Sequence, residues 1–158
     1  MYPFINFHQT NRLEETQIND IEKAISGEYN AIQCYQKLAN LAHSSKEREQ
    51  ILEIQRDEMK HYELFTQIFV QLTGKNPRIQ LKEECPNTYK AGLEYAIKDE
   101  QETVDFYHDI ADKATDPMIK QAFTRVAADE QNHAVWFLYF FTKRIENKFL
   151  KGFKKEMY

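Results

Sequence analysis

Apolar residues recur at steps of three and four in four long stretches of the chain. This spacing places the apolar side chains on one face of an α-helix. It predicts helices over residues 13–43, 46–73, 87–114 and 117–147. Residues 1–12 are then an irregular leader, and residues 148–158 are a short basic tail that either extends the last helix or frays.

Residues that start and stop helices stand at the ends of these stretches. Ser44 offers an N-cap to the second helix, Gly74 follows its end, and Asp116-Pro117 is a capped start for the fourth. Gly27 lies inside the first helix, at a cost of roughly 1 kcal/mol relative to alanine. The one long connection, residues 74–86, would span ~43 Å when extended. Both a crossover along the bundle and a short end-to-end connection are compatible with that length.

The two halves of the chain resemble each other. A shift of 72 residues superposes them without a gap, matching Ala24 with Ala96, Glu28 with Glu100, Tyr35 with Tyr107, Ala39 with Ala111 and Phe65 with Phe137. Each half is a helical hairpin, and a hairpin cannot bury its apolar face alone. The sequence therefore predicts an all-α single domain, an antiparallel four-helix bundle built from two repeated hairpins.

A short motif, Asp-Glu-x-x-His, occurs once in each half, at residues 57–61 and 129–133. A glutamate and a histidine three residues apart on a helix lie on the same face, about one turn from each other. Glu58 with His61, and Glu130 with His133, are therefore spaced to reach one metal ion per pair. A single copy carries little weight in a glutamate-rich helical protein, but two copies with the same preceding aspartate are more specific.

Glu28 and Glu100 lie on the apolar stripes of the first and third helices. Burying an uncompensated carboxylate is costly, so each must be paired, protonated or bound to a cation. From Glu28 to the first turn and on to Glu58 the separations are 16 and 14 residues, and the separations from Glu100 to Glu130 are the same. The motifs and the two single glutamates are thus expected in one layer near the middle of the bundle.

Four carboxylates in one layer would raise each other's pKa values unless cations compensate them. Two divalent ions would balance the four negative charges. Carboxylate oxygen and imidazole nitrogen suit iron or manganese. The predicted cofactor is therefore a pair of iron ions, with manganese or zinc as alternatives.

This ligand pattern resembles the ferritin-like di-iron carboxylate proteins, in which two helices supply one glutamate each and two supply Glu-x-x-His. The sequences Glu-Tyr-Asn-Ala-Ile-Gln-Cys-Tyr from Glu28 and Glu-Gln-Glu-Thr-Val-Asp-Phe-Tyr from Glu100 are similar to helices of the rubrerythrin and bacterioferritin branch. The resemblance covers roughly residues 15–145. It implies that Glu58 and Glu130 bridge two metals, and that Glu28 and Glu100 cap one metal each.

By the same resemblance, His61 and His133 supply one nitrogen per metal, and no catalytic residue is assigned beyond the ligands. The resemblance also implies that Asp57 and Asp129 each hydrogen-bond the histidine of the other motif. Tyr35 and Tyr107 are either core aromatics with satisfied hydroxyls or residues that support the ligands. No choice between these roles follows from the sequence.

The resemblance implies a rubrerythrin-like oxidoreductase acting on peroxide or dioxygen. Rubrerythrins carry a further carboxylate three residues after the third-helix glutamate, where this chain has Thr103; Glu102 points about a third of a turn away. The chain has no Cys-x-x-Cys of a rubredoxin domain, so an external electron donor protein is expected. Two alternatives remain: a metal-binding or iron-handling module without turnover, and a structural bundle held by salt bridges.

Charge and composition limit the partners further. The net charge of −4, from 25 acids against 21 bases, gives no reason to expect nucleic acid. The longest stretch of uncharged apolar residues, residues 134–142, is too short to span a membrane, and the N-terminal sequence does not resemble a secretory signal. Cys34 and Cys85 are expected to be reduced, in a cytoplasmic protein. Aromatic residues in the run 135–141 exceed what one inward stripe can bury, which favours a homodimer.

Overall fold

Four α-helices make up the part of the chain that the computed structural model describes, which is the backbone of residues 7–81 and 84–156 and the side chains of residues 14–81 and 84–146. Within these limits there is no strand. The helices are α1 (Phe7–Leu41), α2 (Ser45–Thr73), α3 (Tyr89–Lys113) and α4 (Pro117–Glu156). The predicted all-α four-helix fold is confirmed.

Capping groups fix the helix ends where the sequence predicts them. The Ser44 hydroxyl accepts a hydrogen bond from the first turn of α2, and Gly74 ends that helix with a φ of 68°. A left-handed residue at this position is typical of glycine. The Asp116 carboxylate accepts a hydrogen bond of 2.7 Å from the Met118 amide at the start of α4. Helix α3 begins slightly later than predicted, because its cap is Thr88.

The structure differs from the prediction at the N-terminal end of the bundle and resolves an open choice at the C-terminal end. Helix α1 begins at Phe7, so the predicted irregular leader is wrong over residues 7–12. No glycine or proline lies between Phe7 and Leu13, and nothing in that stretch stops the helix. Residues 1–6 lie outside the described part. At the other end, α4 continues to Glu156, so the basic tail extends the helix up to that residue.

The connection between α2 and α3 runs lengthwise along α1. The Gln80 amide donates to the Ser26 hydroxyl at 3.0 Å, and further along the connection the Lys37 ammonium donates to the Cys85 carbonyl at 2.8 Å. The partners on α1 thus advance in the same direction as the connection. The connection therefore returns the chain to the opposite end of the bundle, and α3 runs parallel to α2. Of the two compatible topologies, the crossover is the one adopted.

A disulfide bond joins the crossover to α1, between Cys34 and Cys85, with Cα atoms 5.2 Å apart. The prediction of two reduced cysteines was wrong. The two residues are 51 positions apart in sequence, and only the crossover brings them together. A short connection between neighbouring helix ends would have left Cys85 near the start of α1, far from Cys34 in its C-terminal part.

Two apolar clusters fill the bundle on either side of its middle. One contains Phe65 and Phe123, whose rings stack at 4.1 Å, and the other contains Ile51, Leu93 and Phe137. Phe65 and Phe137, which the repeat superposes, lie in different clusters. The two-fold repeat is thus visible in the packing, and the layer between the clusters is polar.

None of the helices in the described part is both long enough and apolar enough to cross a membrane.

Candidate metal centre

Six charged or titratable side chains form the polar layer between the two apolar clusters. Helices α1 and α3 contribute one glutamate each, and α2 and α4 contribute a glutamate and a histidine each. Every one of them is at most 5% exposed. They are the six predicted ligands Glu28, Glu58, His61, Glu100, Glu130 and His133, and the structure brings all of them together.

The six residues fall into two overlapping groups. One group is Glu28, Glu58, His61 and Glu130, and the other is Glu58, Glu100, Glu130 and His133. Within each group, one ligand atom from every residue lies within 4.8 Å of the others. Ligand atoms about 2 Å from a common ion need a separation of this order. Glu58 and Glu130, the shared glutamates, belong to both groups, as bridging between two ions requires.

Each histidine turns its Nδ1 atom toward the shared glutamates. His61 Nδ1 lies 3.0 Å from Glu130 Oε1 and 3.4 Å from Glu58 Oε2. His133 Nδ1 lies 2.9 Å from Glu58 Oε1 and 3.0 Å from Glu130 Oε2. Both imidazoles therefore offer the same nitrogen to the centre of the layer.

The other imidazole nitrogen, Nε2, faces an aspartate of the opposite hairpin. His61 Nε2 lies 3.6 Å from Asp129 Oδ2, and His133 Nε2 lies 3.7 Å from Asp57 Oδ2. The cross-bundle partners are those that the resemblance implies. The separations exceed hydrogen-bond length, so these are ion-pair contacts rather than the expected hydrogen bonds.

Each of the two buried tyrosines forms a hydrogen bond with a glutamate of the other hairpin. The Tyr35 hydroxyl donates to Glu100 Oε1 at 2.6 Å, and the Tyr107 hydroxyl donates to Glu28 Oε1. Each tyrosine therefore contacts the glutamate of the other hairpin and not the one on its own helix. The antiparallel packing of α1 against α3 produces this exchange, which the sequence stripes alone do not reveal.

Burial and hydrogen bonding separate the pKa values of the layer. Burial, reinforced by the neighbouring carboxylates, raises the pKa of Glu28 and Glu100 well above the usual range. Burial also acts to raise the pKa of Glu58, but the close approach of the two imidazoles outweighs it and lowers that pKa to about 2. Burial acts to lower the histidine pKa values, yet the nearby carboxylates of the shared glutamates raise them to about 9 for His61 and about 10 for His133. Without a cation, protons therefore balance the charge of the layer.

Three atoms of the layer nevertheless lack a hydrogen-bond partner among the described residues: Glu58 Oε1, Glu130 Oε1 and His61 Nδ1. Nearby nitrogen and oxygen atoms are close, but their directions do not suit hydrogen bonds. An unsatisfied buried polar atom costs about 1–3 kcal/mol. All three are ligand types for iron or manganese, so the residues fit a pair of divalent ions better than a network of salt bridges.

A small cavity adjoins the layer between α1 and α3. Besides ligands and tyrosines it is lined by Gly27, Ala31, Asp99 and Thr103. Thr103 thus lies beside the layer, at the position where the resemblance to rubrerythrins implies a carboxylate. Glu102 is exposed and lies 3.6 Å from Lys98 instead.

Sequence reasoning missed Gly27, Ala31 and Asp99. Their spacing from the ligands was the available signal. Gly27 and Asp99 each precede a single glutamate by one residue, and Ala31 and Thr103 each follow one by three.

Solved structures share the arrangement of helices. A bacterioferritin from Desulfovibrio desulfuricans, described as having a diiron site, superposes with a TM-score of 0.74 at 21% identity, covering 89% of this chain and 88% of that one. A structure from Bacillus anthracis str. Ames, described among ferritin-like, diiron-carboxylate proteins, superposes with a TM-score of 0.72 at 21% identity, covering 82% and 97%. At this level of identity the likeness shows the fold.

Sequence similarity extends the match. The family model for rubrerythrin matches residues 91–157. The uncharacterized protein YhjR of Bacillus subtilis (strain 168) is 48% identical over 143 residues, which is 90% of this chain and 99% of that protein. The chain is therefore a relative of YhjR that resembles rubrerythrin over residues 91–157 and has the ferritin-like four-helix fold. The matched segment includes most of α3 and its Thr103, so the departure at that position lies inside the region of family similarity.

Proposed function

We propose that the chain is a di-iron carboxylate protein, a rubrerythrin-like oxidoreductase that carries out redox chemistry on peroxide or dioxygen. The observation that carries this proposal is the pair of ligand groups that share Glu58 and Glu130. Solved relatives of the same fold described as diiron proteins support it.

In this proposal Glu58 and Glu130 would be shared between the two ions, while Glu28 and Glu100 would each serve one ion. His61 and His133 would bind through Nδ1, the nitrogen that faces the shared glutamates. When bound, a pair of iron ions supplies two electrons to the oxidant. Manganese can replace iron in such a ligand set, whereas zinc can occupy it without redox chemistry.

Tyr35 and Tyr107 hold the capping carboxylates in place. Each hydroxyl donates to one oxygen of Glu100 or Glu28, leaving the second oxygen of that carboxylate for metal. A capping carboxylate anchored at one oxygen can change its coordination without leaving the site. Asp57 and Asp129 orient the imidazoles from the opposite side, as residues behind metal-bound histidines generally do.

The proposal includes an external electron donor protein and a cytoplasmic location. Cytoplasmic thiols are normally kept reduced. In that compartment the Cys34–Cys85 bond is expected to form when oxidant is present and to open when the reductant pool recovers.

The proposal is tested by loading the metal-free protein with Fe(II) under anaerobic conditions, measuring iron per chain, and mixing with hydrogen peroxide in a stopped-flow instrument. We expect about two irons per chain and rapid oxidation that follows the absorbance of ferric iron. Glu58→Ala removes a ligand of both ions and should bind less than one iron per chain. Glu53→Ala, on the exposed face of the same helix, is the matched control and should behave as the unmodified protein.

The results separate the alternatives. Full iron loading without oxidation by peroxide or dioxygen would refute the oxidoreductase and favour the non-catalytic metal-binding module. If the unmodified protein binds less than about one iron per chain, both the oxidoreductase and the metal-binding module are refuted. A structural bundle is then favoured.

A further inference from the structure

Gly27 occupies a place in α1 that neither packing nor backbone conformation reserves for glycine. A Cβ built on it would meet no atom within 4 Å, apart from its own helix backbone. Among the described residues only Gly74 has a positive φ. By contrast, a Cβ on Gly92 would lie 2.6 Å from Leu38 Cδ1, so close packing accounts for that glycine. Gly27 sits beside open space, although glycine inside a helix is destabilising.

The open space is the cavity between α1 and α3. Its four residues that are neither ligands nor tyrosines are Gly27, Ala31, Asp99 and Thr103, called here the access cleft. The 72-residue shift superposes Gly27 on Asp99 and Ala31 on Thr103. The cleft therefore lies about the pseudo-two-fold axis of the site. It is formed by α1 and α3, the two helices that contribute no histidine to the polar layer.

Two unsatisfied atoms show that the cavity leads to the reactive layer. Glu58 and Glu130 both line it. Their Oε1 atoms are buried and have no hydrogen-bond partner among the described residues. The cleft thus ends on the two carboxylates that belong to both ligand groups.

The cavity is small. It offers about 10 Å³ to the centres of water-sized molecules, and roughly 10–15 Å³ on this measure holds one water molecule. Dioxygen and hydrogen peroxide are close to that size. An organic substrate with a ring or a branched chain is not.

We propose that the access cleft is the route by which a small oxidant reaches the metal centre, and that Gly27 and Thr103 determine which oxidants pass. This inference rests on the proposed function. The missing side chain at Gly27 keeps the cleft open, and the short side chain at Thr103 narrows it without blocking it. Size selection at the cleft then favours hydrogen peroxide or dioxygen over organic hydroperoxides.

The test compares hydrogen peroxide with cumene hydroperoxide in single-turnover oxidation of the Fe(II)-loaded protein. The unmodified protein should react at least about tenfold faster with hydrogen peroxide, as expected for steric discrimination in a tight pocket. Gly27→Leu should slow the hydrogen peroxide reaction by a similar factor, with iron content unchanged. Gln33→Leu, an exposed position on the same helix, controls for the added leucine and should not slow it.

Two further measurements do not depend on turnover. Azide binding to the oxidised, metal-loaded protein should be slowed by Gly27→Leu and unaffected by Gln33→Leu. Gly27→Ala in the metal-free protein should raise the thermal unfolding midpoint by about 2–4 °C, because alanine fits the open space and favours the helix. If Gly27→Leu does not fold, Thr103→Leu takes its place in both kinetic measurements.

Equal reaction rates with the two peroxides, or unchanged oxidation and azide binding in the leucine variant, would overturn the inference. If the unmodified protein is not oxidised at all, the proposed function fails. The azide arm, run on metal-loaded protein oxidised with ferricyanide, then decides the access route separately, since azide needs only a bound ferric ion and a way to reach it.

Discussion

Two tyrosine hydroxyls tie the hairpins together at the metal layer, through Glu100 and Glu28. Tyr35→Phe or Tyr107→Phe removes one of these hydrogen bonds and leaves the ring packing. We expect each change to lower the free energy of unfolding by about 1–2 kcal/mol, measured by urea denaturation of the metal-free protein. Iron content should remain close to that of the unmodified protein, because the ligands are intact.

Tyr139→Phe is the control for this prediction, since Tyr139 is exposed on α4 and should tolerate the change. Equal stability of all three variants would show that the buried hydroxyls contribute nothing measurable.

The two site histidines make the stability of the metal-free protein depend on pH. Their folded-state pKa values of about 9 and about 10 lie above the unfolded value of about 6.5. The folded state therefore binds more protons between these values, and stability falls as pH rises. The slope reaches up to about 1.4 kcal/mol per pH unit for each histidine.

Urea denaturation in the presence of a chelator, from pH 7 to pH 10, measures this dependence. The double variant His61→Gln, His133→Gln should lose the part of the slope that the histidines supply, while the buried Glu28 and Glu100, whose pKa values are also raised, keep the remainder. A profile of the unmodified protein that stays level or rises over this range would contradict the prediction.

The six ligand residues could be predicted from the sequence for two reasons. Charged residues are rare on buried helix faces, and the repeat gives the position of each ligand along the bundle axis. Glu28 and Glu100 stand out as carboxylates on apolar stripes, and equal residue counts place them level with the two motifs. The sequence did not reveal contacts that depend on which helices are neighbours in the bundle. The exchange of Tyr35 and Tyr107 between hairpins requires the packing of α1 against α3.

At the level of elements, the disulfide links the crossover to α1. Replacing both cysteines by serine frees a loop whose ends are 51 residues apart. We expect the free energy of unfolding to fall by about 4 kcal/mol on the chain-entropy estimate, measured by urea denaturation without reductant. The metal layer should persist, because the Gln80 amide still donates to the Ser26 hydroxyl and the Lys37 ammonium still donates to the backbone carbonyl of residue 85.

The unmodified protein in dithiothreitol is the control and should approach the stability of the serine variant. Identical stability of oxidised and serine forms would refute a stabilising role for the bond.

Helix ends with a chemical signal were predictable, and those without one were not. Ser44, Gly74 and Asp116 mark ends that the structure reproduces. The start of α1 carries no such signal, so the helix extends upstream of its periodic stretch to Phe7. The crossover and the disulfide depend on the path of one connection, for which chain length allowed two solutions.

For the whole molecule, the outer face of α4 is the candidate contact between copies of the chain. Val135, Leu138 and Tyr139 are 60%, 47% and 52% exposed, beside a groove against α3. Apolar exposure of this kind is typical of interaction surfaces, and the homodimer remains our proposal for the unmodified protein. The double variant Val135→Lys, Leu138→Glu should shift the protein from dimer to monomer in light scattering at micromolar concentration.

The double variant Val70→Lys, Leu72→Glu on α2 places the same charges on another exposed apolar pair and should leave the dimer intact. A monomeric unmodified protein would refute the dimer outright.

The disulfide would also hold the two halves of the chain together after a break in the backbone between them. Lys75 and Arg78 are exposed in the crossover, so trypsin can cut there and separate the two hairpins. One fragment would carry Glu28, the first Glu-x-x-His motif and Cys34. The other would carry Glu100, the second motif and Cys85. The nicked protein would be a covalent pair of its own two repeats, with one mass before reduction and two masses after it.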